Sequence, residues 1–332
     1  MTAPPCSLEV SLGLWQDRPP AEVLETAALA DALGFRAIWI GEMATWDAFA
    51  LGAHVGAALR HSNLVLGPFA VAVRDPMMIA MGAASVAALT GRTVGVALGT
   101  SSTVVVERWH GRDRVRSATA LAESAQAVRA LLDGSRADLD GAVVRSSGYR
   151  LRLPAPRSEL AIAAFGEHAI RAAARHGDRV VLNLVDVDTV ALLVEQVRAA
   201  AAEAGRPCPR VAVWVTAAVD HGPAAVEQLR RGVVGYLAAP GYSTMFTRAG
   251  FGELVAFAQT GPHPGALLAR VPAELSRAVG LVGDAAHVEA RIRAYLAAGA
   301  DDVVIVPAAT DEDPAGAHTL AVTAEIGKVL PG

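Results

Sequence analysis

The 332-residue sequence predicts an α/β fold, a closed (β/α)8 TIM barrel with insertions after strands 4 and 7 and before strand 5. Three observations predict it. Eight short β-branched runs alternate with Ala/Leu-rich segments of helical period. Each run is almost continuously apolar, as expected of parallel strands covered on both faces. No Gly-x-Gly-x-x-Gly follows the first run, and no phosphate-binding loop ending in Gly-Lys occurs, so an open nucleotide-binding sheet is not supported.

In chain order the strand candidates are Glu9–Leu14, Ala37–Ile40, Leu64–Val71, Thr93–Leu98, Leu160–Ala164, Arg179–Leu184, Arg210–Ala218 and Asp302–Val306. The helix candidates include Pro20–Leu33, Pro76–Leu89, Ser117–Leu132, Glu167–His176, Val187–Ala204 and Ala285–Ala298, with Gly34 and Gly299 at C-cap positions. Three connections exceed what a barrel needs. Thr100–Arg116 follows strand 4. Gly134–Arg157 precedes strand 5, with a hairpin expected from Ala142–Val144 and Tyr149–Leu153 around Ser146–Gly148. Asp220–Asp284 follows strand 7, with Gly/Pro/Tyr-rich stretches. The first and third leave C-terminal strand ends, where barrel active sites sit. No domain boundary is evident, so residues 1–332 are read as one domain.

Composition excludes several classes of function. Hydrophobic residues make up 53% of the chain, enough for a large core, and the net charge of -4 gives no footprint for nucleic acid. No apolar run is long enough to span a bilayer, and Met1–Ser7 lacks a basic segment followed by an apolar stretch, so the chain is read as cytoplasmic with no membrane partner. Its two cysteines, Cys6 and Cys208, are read as inert thiols. The nine histidines make no tight metal-ligand pair, and strand 1 carries no His-x-His, so no metal is expected. The only lysine is Lys328, near the C-terminus, which argues against Schiff-base chemistry.

Residues with chemistry sit at the strand ends. Glu42 follows strand 2 and faces the expected mouth; a carboxylate there is either an acid–base group or a helix cap. Trp46 is either a flat wall with an indole donor or rim packing. Strand 4 runs into Gly99-Thr100-Ser101-Ser102, a loop of hydroxyls and accessible backbone N–H groups that suits a heterocycle edge or a phosphate, and that also makes ordinary turns. Strand 5 ends in Ala163-Ala164-Phe165-Gly166 and enters a helix, where small residues admit a flat ligand and the helix N-terminus favours an anion. The arginine-dense run Glu107–Arg116 either holds a polyanionic tail or is a solvated loop, and the second reading is favoured.

Together these segments resemble the coenzyme F420-dependent branch of the luciferase-like monooxygenase superfamily over nearly the whole chain. The most specific element is Gly99-Thr100-Ser101-Ser102 continuing to Val106-Glu107-Arg108-Trp109-His110-Gly111. Next come Glu42 with Trp46-Asp47-Ala48-Phe49, then Leu89-Thr90-Gly91-Arg92, Ala163-Ala164-Phe165-Gly166 and Leu281-Val282-Gly283-Asp284. The resemblance implies a homodimeric barrel oxidoreductase that moves a hydride between coenzyme F420 and a small organic substrate. The same barrel also hosts FMN-dependent monooxygenases, and a non-catalytic ligand-binding barrel is a further alternative. It implies proton transfer at Glu42, with Trp46 as its partner. It implies cofactor contacts from Thr100 and Ser101 beside Gly99, and from Ala163, Ala164, Phe165 and Gly166. It also implies a non-prolyl cis peptide near Ala70–Val71 against the back of the ring. Tyr242, Met245 and Phe246 are placed as substrate-pocket walls by position alone. Relatives acting on sugar phosphates carry histidine in place of Glu42, an acid in place of Ser102 and phosphate-binding lysines, so that substrate class is not implied here.

Overall fold

Strands that are apolar on both faces fold stably only when each is paired and covered by helices. In the computed structural model, which describes residues 7–42 and 44–330, eight parallel strands close into an α/β barrel with helices between them. Cys6 lies outside the described residues; Cys208 is an exposed thiol outside any disulfide. The strands are β1 Ser7–Ser11, β2 Ala37–Ile40, β3 Asn63–Ala70, β4 Val94–Gly99, β5 Asp138–Asp140, β6 Arg145–Ser147, β7 Leu160–Ala163, β8 Arg179–Asn183, β9 Arg210–Val219, β10 Leu281–Gly283 and β11 Asp302–Pro307. Two compact units can be described in turn: residues 30–181 with 195–211, and residues 1–29 with 182–194 and 212–332.

In the first unit the parallel order is β2-β3-β4-β7-β8. Ile40 is level with Leu66, Leu98 with Ile162, and Ala163 with Val181. Along β3 the outward side chains meet helix Ala48–Ala58. A Cβ on Gly56 would lie 2.7 Å from Leu64, and one on Gly52 2.8 Å from Leu66. Phe69 then stacks on Phe49 with ring centroids 4.7 Å apart. Leu66 and Phe69 face the same way although an undisturbed strand alternates faces every residue. The register slips between them because Gly67 and Pro68 form a bulge. Gly67 has φ of +108°, and a Cβ there would lie 2.3 Å from the Ala97 carbonyl oxygen, so glycine is required. The cis bond in this segment is Gly67–Pro68, an X-Pro bond, and not the non-prolyl Ala70–Val71 bond that the family resemblance implied.

Polar groups tie the unit at the end opposite its candidate site. Arg179 is 1% exposed, pairs with Glu159 at 2.9 Å, and lies 5.6 Å from the Trp39 ring centroid. The Asp31 carboxylate accepts backbone N–H groups of Arg60, His61 and Ser62 at 2.7 to 2.8 Å, which fixes the turn into β3. Burial pushes this carboxyl up, but the Ser62, Arg60 and His61 amides outweigh it and hold it at about 2.

The expected hairpin exists, but four to five residues earlier (roughly), as β5 and β6 with Leu139 opposite Ser146. The turn sits at Gly141–Val144 because the Glu123 carboxylate takes the N–H groups of Ala142, Val143 and Val144. The Ser146–Gly148 stretch is therefore strand and exit, not the turn. The connection after β4 holds a π-helical turn, Val104–Trp109.

In the second unit the order is β10-β9-β11-β1, all parallel. Val10 is level with Ile305, and Val304 with Trp214. The first strand ends at Ser11 and not at Leu14, which has φ of +48° and cannot continue an extended chain. The Asp220–Asp284 connection is not merely loop. It holds helices Pro223–Val234, Gly252–Gln259 and Ala273–Ala278, shorter turns at Tyr242–Phe246 and Pro264–Leu268, and β10 beside the end of β9. Among the described residues no helix is long and apolar enough to cross a membrane.

The Asp31 turn yields a stability prediction. Its folded carboxyl titrates below its ordinary value of 3.8, so its contribution is complete above about pH 4 and fades as pH falls toward 2. Asp31→Ala is expected to cost roughly 2–4 kcal/mol at pH 7 and to flatten the acid limb between pH 4 and 2. Urea unfolding at several pH values measures both, and an unchanged midpoint at pH 7 contradicts the assignment.

Candidate active site

Four neighbouring parallel strands of the first unit end on one rim, so the residues that follow them are brought together by register alone. Val71 N–H donates to the Gly99 carbonyl at 3.1 Å, joining the ends of β3 and β4, and Ala164 N–H donates to Val181 at 3.1 Å, joining the ends of β7 and β8. Gly99 is buried between its neighbours. A Cβ on it would lie 3.3 Å from the Pro68 Cβ and 3.6 Å from the Ala163 Cβ. Pro68, Gly99 and Ala163 thus share one face at the strand ends, on the side away from Phe69 and its helix. That face carries no large side chain at these three positions. Ala70 is half-buried beside it, and Val71 is buried.

Thr100 and Ser101 continue from Gly99. Thr100 is half-buried, and Ser101 is exposed in the left-handed region with φ of +55°. The turn is held from both sides. Arg114 Nη2 donates to the Ser101 carbonyl at 2.7 Å, and Ser102 Oγ accepts from Val105 N–H at 3.2 Å as the π-helical turn begins. Arg114 therefore has a structural task inside the arginine-dense run, whereas Arg108, Arg112 and Arg116 are exposed. Past β7, Ala164 is buried, Ala163 and Phe165 are half-buried, and Gly166 is the exposed N-cap of helix Glu167–His176 with no side-chain cap.

Glu42 leaves β2 half-buried, and its carboxylate is engaged. Arg74 Nε donates to Oε2 at 3.0 Å, and Arg74 Nη2 bridges Glu42 Oε1 and Asp47 Oδ2. Hydrogen bonding to Glu42, and then to Asp47, raises the Arg74 guanidinium above its ordinary value. Asp47 also caps helix Ala48–Ala58, accepting Phe49 and Ala50 N–H groups at 3.0 and 2.9 Å. Burial pushes Asp47 up, but Ala50 N–H and Arg74 prevail and hold it below the usual carboxylate range. Glu42 Oε1 lies 3.5 Å from Ala48 N, so its capping contact is long and Asp47 is the true cap. Trp46 is half-buried between the two acids in sequence. The Arg74 guanidinium also lies 5.3 Å from the Phe49 ring centroid. Arg74 is the residue that sequence reasoning missed. It lies four residues past β3, and nothing local pairs it with acids so distant in sequence.

The second unit holds the remaining candidates. Met245 and Phe246 are 2% and 0% exposed, inside the apolar packing, while Tyr242 is half-buried. The Tyr242 ring lies 5.0 Å from that of Tyr236 and 6.5 Å from that of Phe246. Both tyrosines hydrogen-bond the Asn183 side chain at the end of β8, and burial pushes both hydroxyls above the ordinary tyrosine value. Asn183 gave no sequence signal, since a single amide at a strand end has no pattern. Among the described residues no group of three or more His, Cys, Asp or Glu could hold a metal ion.

Residues 6–302 match a family profile described as luciferase-like monooxygenase. A Mycobacterium tuberculosis protein that carries the name of a coenzyme F420-dependent oxidoreductase is 30% identical over 105 residues, which span 32% of this chain and 30% of that protein. The coenzyme F420-dependent tetrahydromethanopterin reductase of Methanopyrus kandleri superposes with a TM-score of 0.82 at 18% identity, over 97% of this chain and 98% of that one. The oxygenating constituent of 3,6-diketocamphane monooxygenase from Pseudomonas putida, solved with FMN, superposes with a TM-score of 0.71 at 17% identity, over 98% and 100%.

The Arg74 bridge yields a second prediction. Arg74→Met leaves Glu42 and Asp47 side by side with no counter-charge, at a part-buried position. It is expected to cost roughly 1–3 kcal/mol, more than Glu42→Gln or Asp47→Asn alone. Urea unfolding of the three variants measures this, and an Arg74→Met protein as stable as the parent contradicts the bridging role.

Proposed function

Because this chain belongs to the luciferase-like monooxygenase family, we propose that it is an oxidoreductase moving a hydride between coenzyme F420 and a small organic substrate, at a C=C, C=N or C–OH group. One observation carries the reading. The ends of β3, β4 and β7 present Pro68, Gly99 and Ala163 on a common face so tightly that a Cβ at Gly99 would stand 3.3 Å from Pro68. A planar ring can approach a surface that carries no large side chain at that level, and the residues there fit such a group.

When bound, the deazaflavin supplies the two-electron chemistry. The protein's own residues bind, orient and move protons. Thr100 and Ser101 offer hydroxyls and backbone to the polar edge of the ring system, and the Arg114 bond to Ser101 holds that turn in place. The Ala70–Val71 segment closes one side of the face. Ala164, Phe165 and Gly166 lead to an N-terminus with unfilled donors, which suits an anionic side chain of the cofactor. Glu42 takes or gives the substrate proton, with Arg74 keeping its carboxylate oriented and Trp46 forming a wall. In the second unit Tyr242, held by Asn183, is the proposed pocket wall, with Met245 and Phe246 beside it in sequence. The assembly proposed is a homodimer acting on a small molecule.

The second reading is an FMN-dependent monooxygenase, which the structural likeness to the FMN-bound camphane enzyme favours. A barrel that binds neither cofactor would be a ligand-binding protein. Fluorescence titration of the purified protein with coenzyme F420 and with FMN separates the three: saturable binding to F420 at least tenfold tighter than to FMN supports the proposal, and the reverse order replaces it with the second reading. Glu42→Gln is then expected to lower turnover tenfold or more while the F420 Kd moves less than threefold. Near-normal turnover in that variant removes Glu42 from the reaction.

A further inference from the structure

A cavity of about 230 Å³ opens at the C-terminal ends of β9 and β11, entirely within the second unit. Its polar lining includes Asp220, His221, Glu312, Asp313 and His318, and its apolar wall includes Ala218, Ala225 and Ala308. None of the family-implied cofactor or substrate positions lies in it. We propose that this cavity binds a neutral hydroxyl-bearing organic group, with His318 as the hydrogen-bond acceptor. The inference goes beyond the functional reading above: it assigns a second binding site, apart from the residues proposed for hydride transfer.

The case begins with the histidine. His318 Nε2 lies 3.1 Å from Asp220 Oδ2. A carboxylate only accepts, so the proton of the neutral imidazole sits on Nε2 and the lone pair on Nδ1. The His318 side chain lines the cavity and is 52% exposed, so Nδ1 is open as an acceptor to a molecule that enters it. Both members of the pair are fixed from behind. Asp220 N–H donates to the Gly283 carbonyl at 2.9 Å, and the Asp220 backbone has φ of +47°, an uncommon conformation for a residue other than glycine. His318 N–H donates to Asp313 Oδ1 at 2.8 Å, while Asp313 Oδ2 also takes the Thr319 hydroxyl at 3.1 Å. A base oriented by a carboxylate, on a backbone anchored at both residues, is a preorganised acceptor.

The lining also decides the charge of the ligand. It contains three carboxylates, from Asp220, Glu312 and Asp313, and neither lysine nor arginine. A phosphate or carboxylate would meet like charge and find no cationic partner. A neutral hydroxyl donates to Nδ1 while its carbon skeleton lies on the alanine wall. The volume, several times the ~30 Å³ share of one water, suits a small organic group.

Ring nitrogen and carbon NMR of the histidines, in the protein without added cofactor, tests this directly. Cyclohexanol is the neutral probe and cyclohexanecarboxylate the anionic one of similar shape. Expected are an Nε2-protonated tautomer for His318 at pH 8, saturable shifts of its ring signals with cyclohexanol, and shifts at least tenfold weaker with the carboxylate. Asp220→Asn is expected to mix the tautomers and weaken the alcohol response. His318→Gln is expected to abolish saturable binding while F420 affinity stays within threefold. No saturable His318 shift with cyclohexanol, or an equal response to the carboxylate, overturns the inference. A normal His318 response in a protein that binds neither F420 nor FMN would instead keep the cavity and refute the redox reading.

Discussion

The constraint on which the rest depends is the parallel register of β2, β3, β4 and β7, with one bulge in it. Parallel pairing puts every C-terminal end on the same rim, so residues far apart in sequence become neighbours without any loop having to reach. The bulge at Gly67–Pro68 changes which side chains of β3 face which way. Without it, either Phe69 could not stack on Phe49 or Pro68 could not stand against Gly99. The same two residues therefore satisfy the outer packing and shape the inner surface. Glycine at 67 follows from its +108° φ and the Ala97 carbonyl beside it. At Gly99 a Cβ would be tight against Pro68 at 3.3 Å and in ordinary contact with Ala163 at 3.6 Å. Close packing favours small residues at these positions, and a face without large side chains is what makes a planar ligand chemically reasonable there.

Electrostatics are arranged differently in the two units. In the first, Arg74 draws two carboxylates together at the end of β2, and one of them is also a helix cap. An ion pair that is part-buried holds geometry more than it adds stability. Its consequence is to set where the Glu42 carboxylate points. In the second, Asp220 sets a histidine tautomer, and the surrounding carboxylates set which charges are admitted. Arginine in one place and its absence in the other give two polar sites of unlike character on one chain.

Much of this was readable from the residues, and the reasons for the misses are physical. Long periodic helices such as Ser117–Leu132 and Glu167–His176 carry enough turns for their apolar stripe to show, and they fall where the period puts them. The buried strands do likewise, apart from β1, where an apolar tail to Leu14 hides the turn. Pieces such as Tyr242–Phe246 and β10 are too short for any period to register, whereas helix Pro223–Val234, at 12 residues, is long enough to show one and is passed over among the Gly/Pro/Tyr-rich stretches of the same connection. The hairpin before β7 is misplaced because its turn is set by Glu123 on another element, which no local turn propensity reveals. The strand ends carrying Glu42, Gly99 and Ala163 are legible because chemistry at a barrel mouth follows the strands. Arg74, Asn183 and the Asp220–His318 pair are not, because each acquires its meaning from a partner brought in by tertiary structure.

The account stands or falls on where a planar redox ring lies. A crystal structure of this protein with coenzyme F420 answers that most directly. The account predicts the ring against Pro68, Gly99 and Ala163, with its polar edge at Thr100 and Ser101. A ring bound elsewhere, or one separated from Gly99 by intervening side chains, contradicts it.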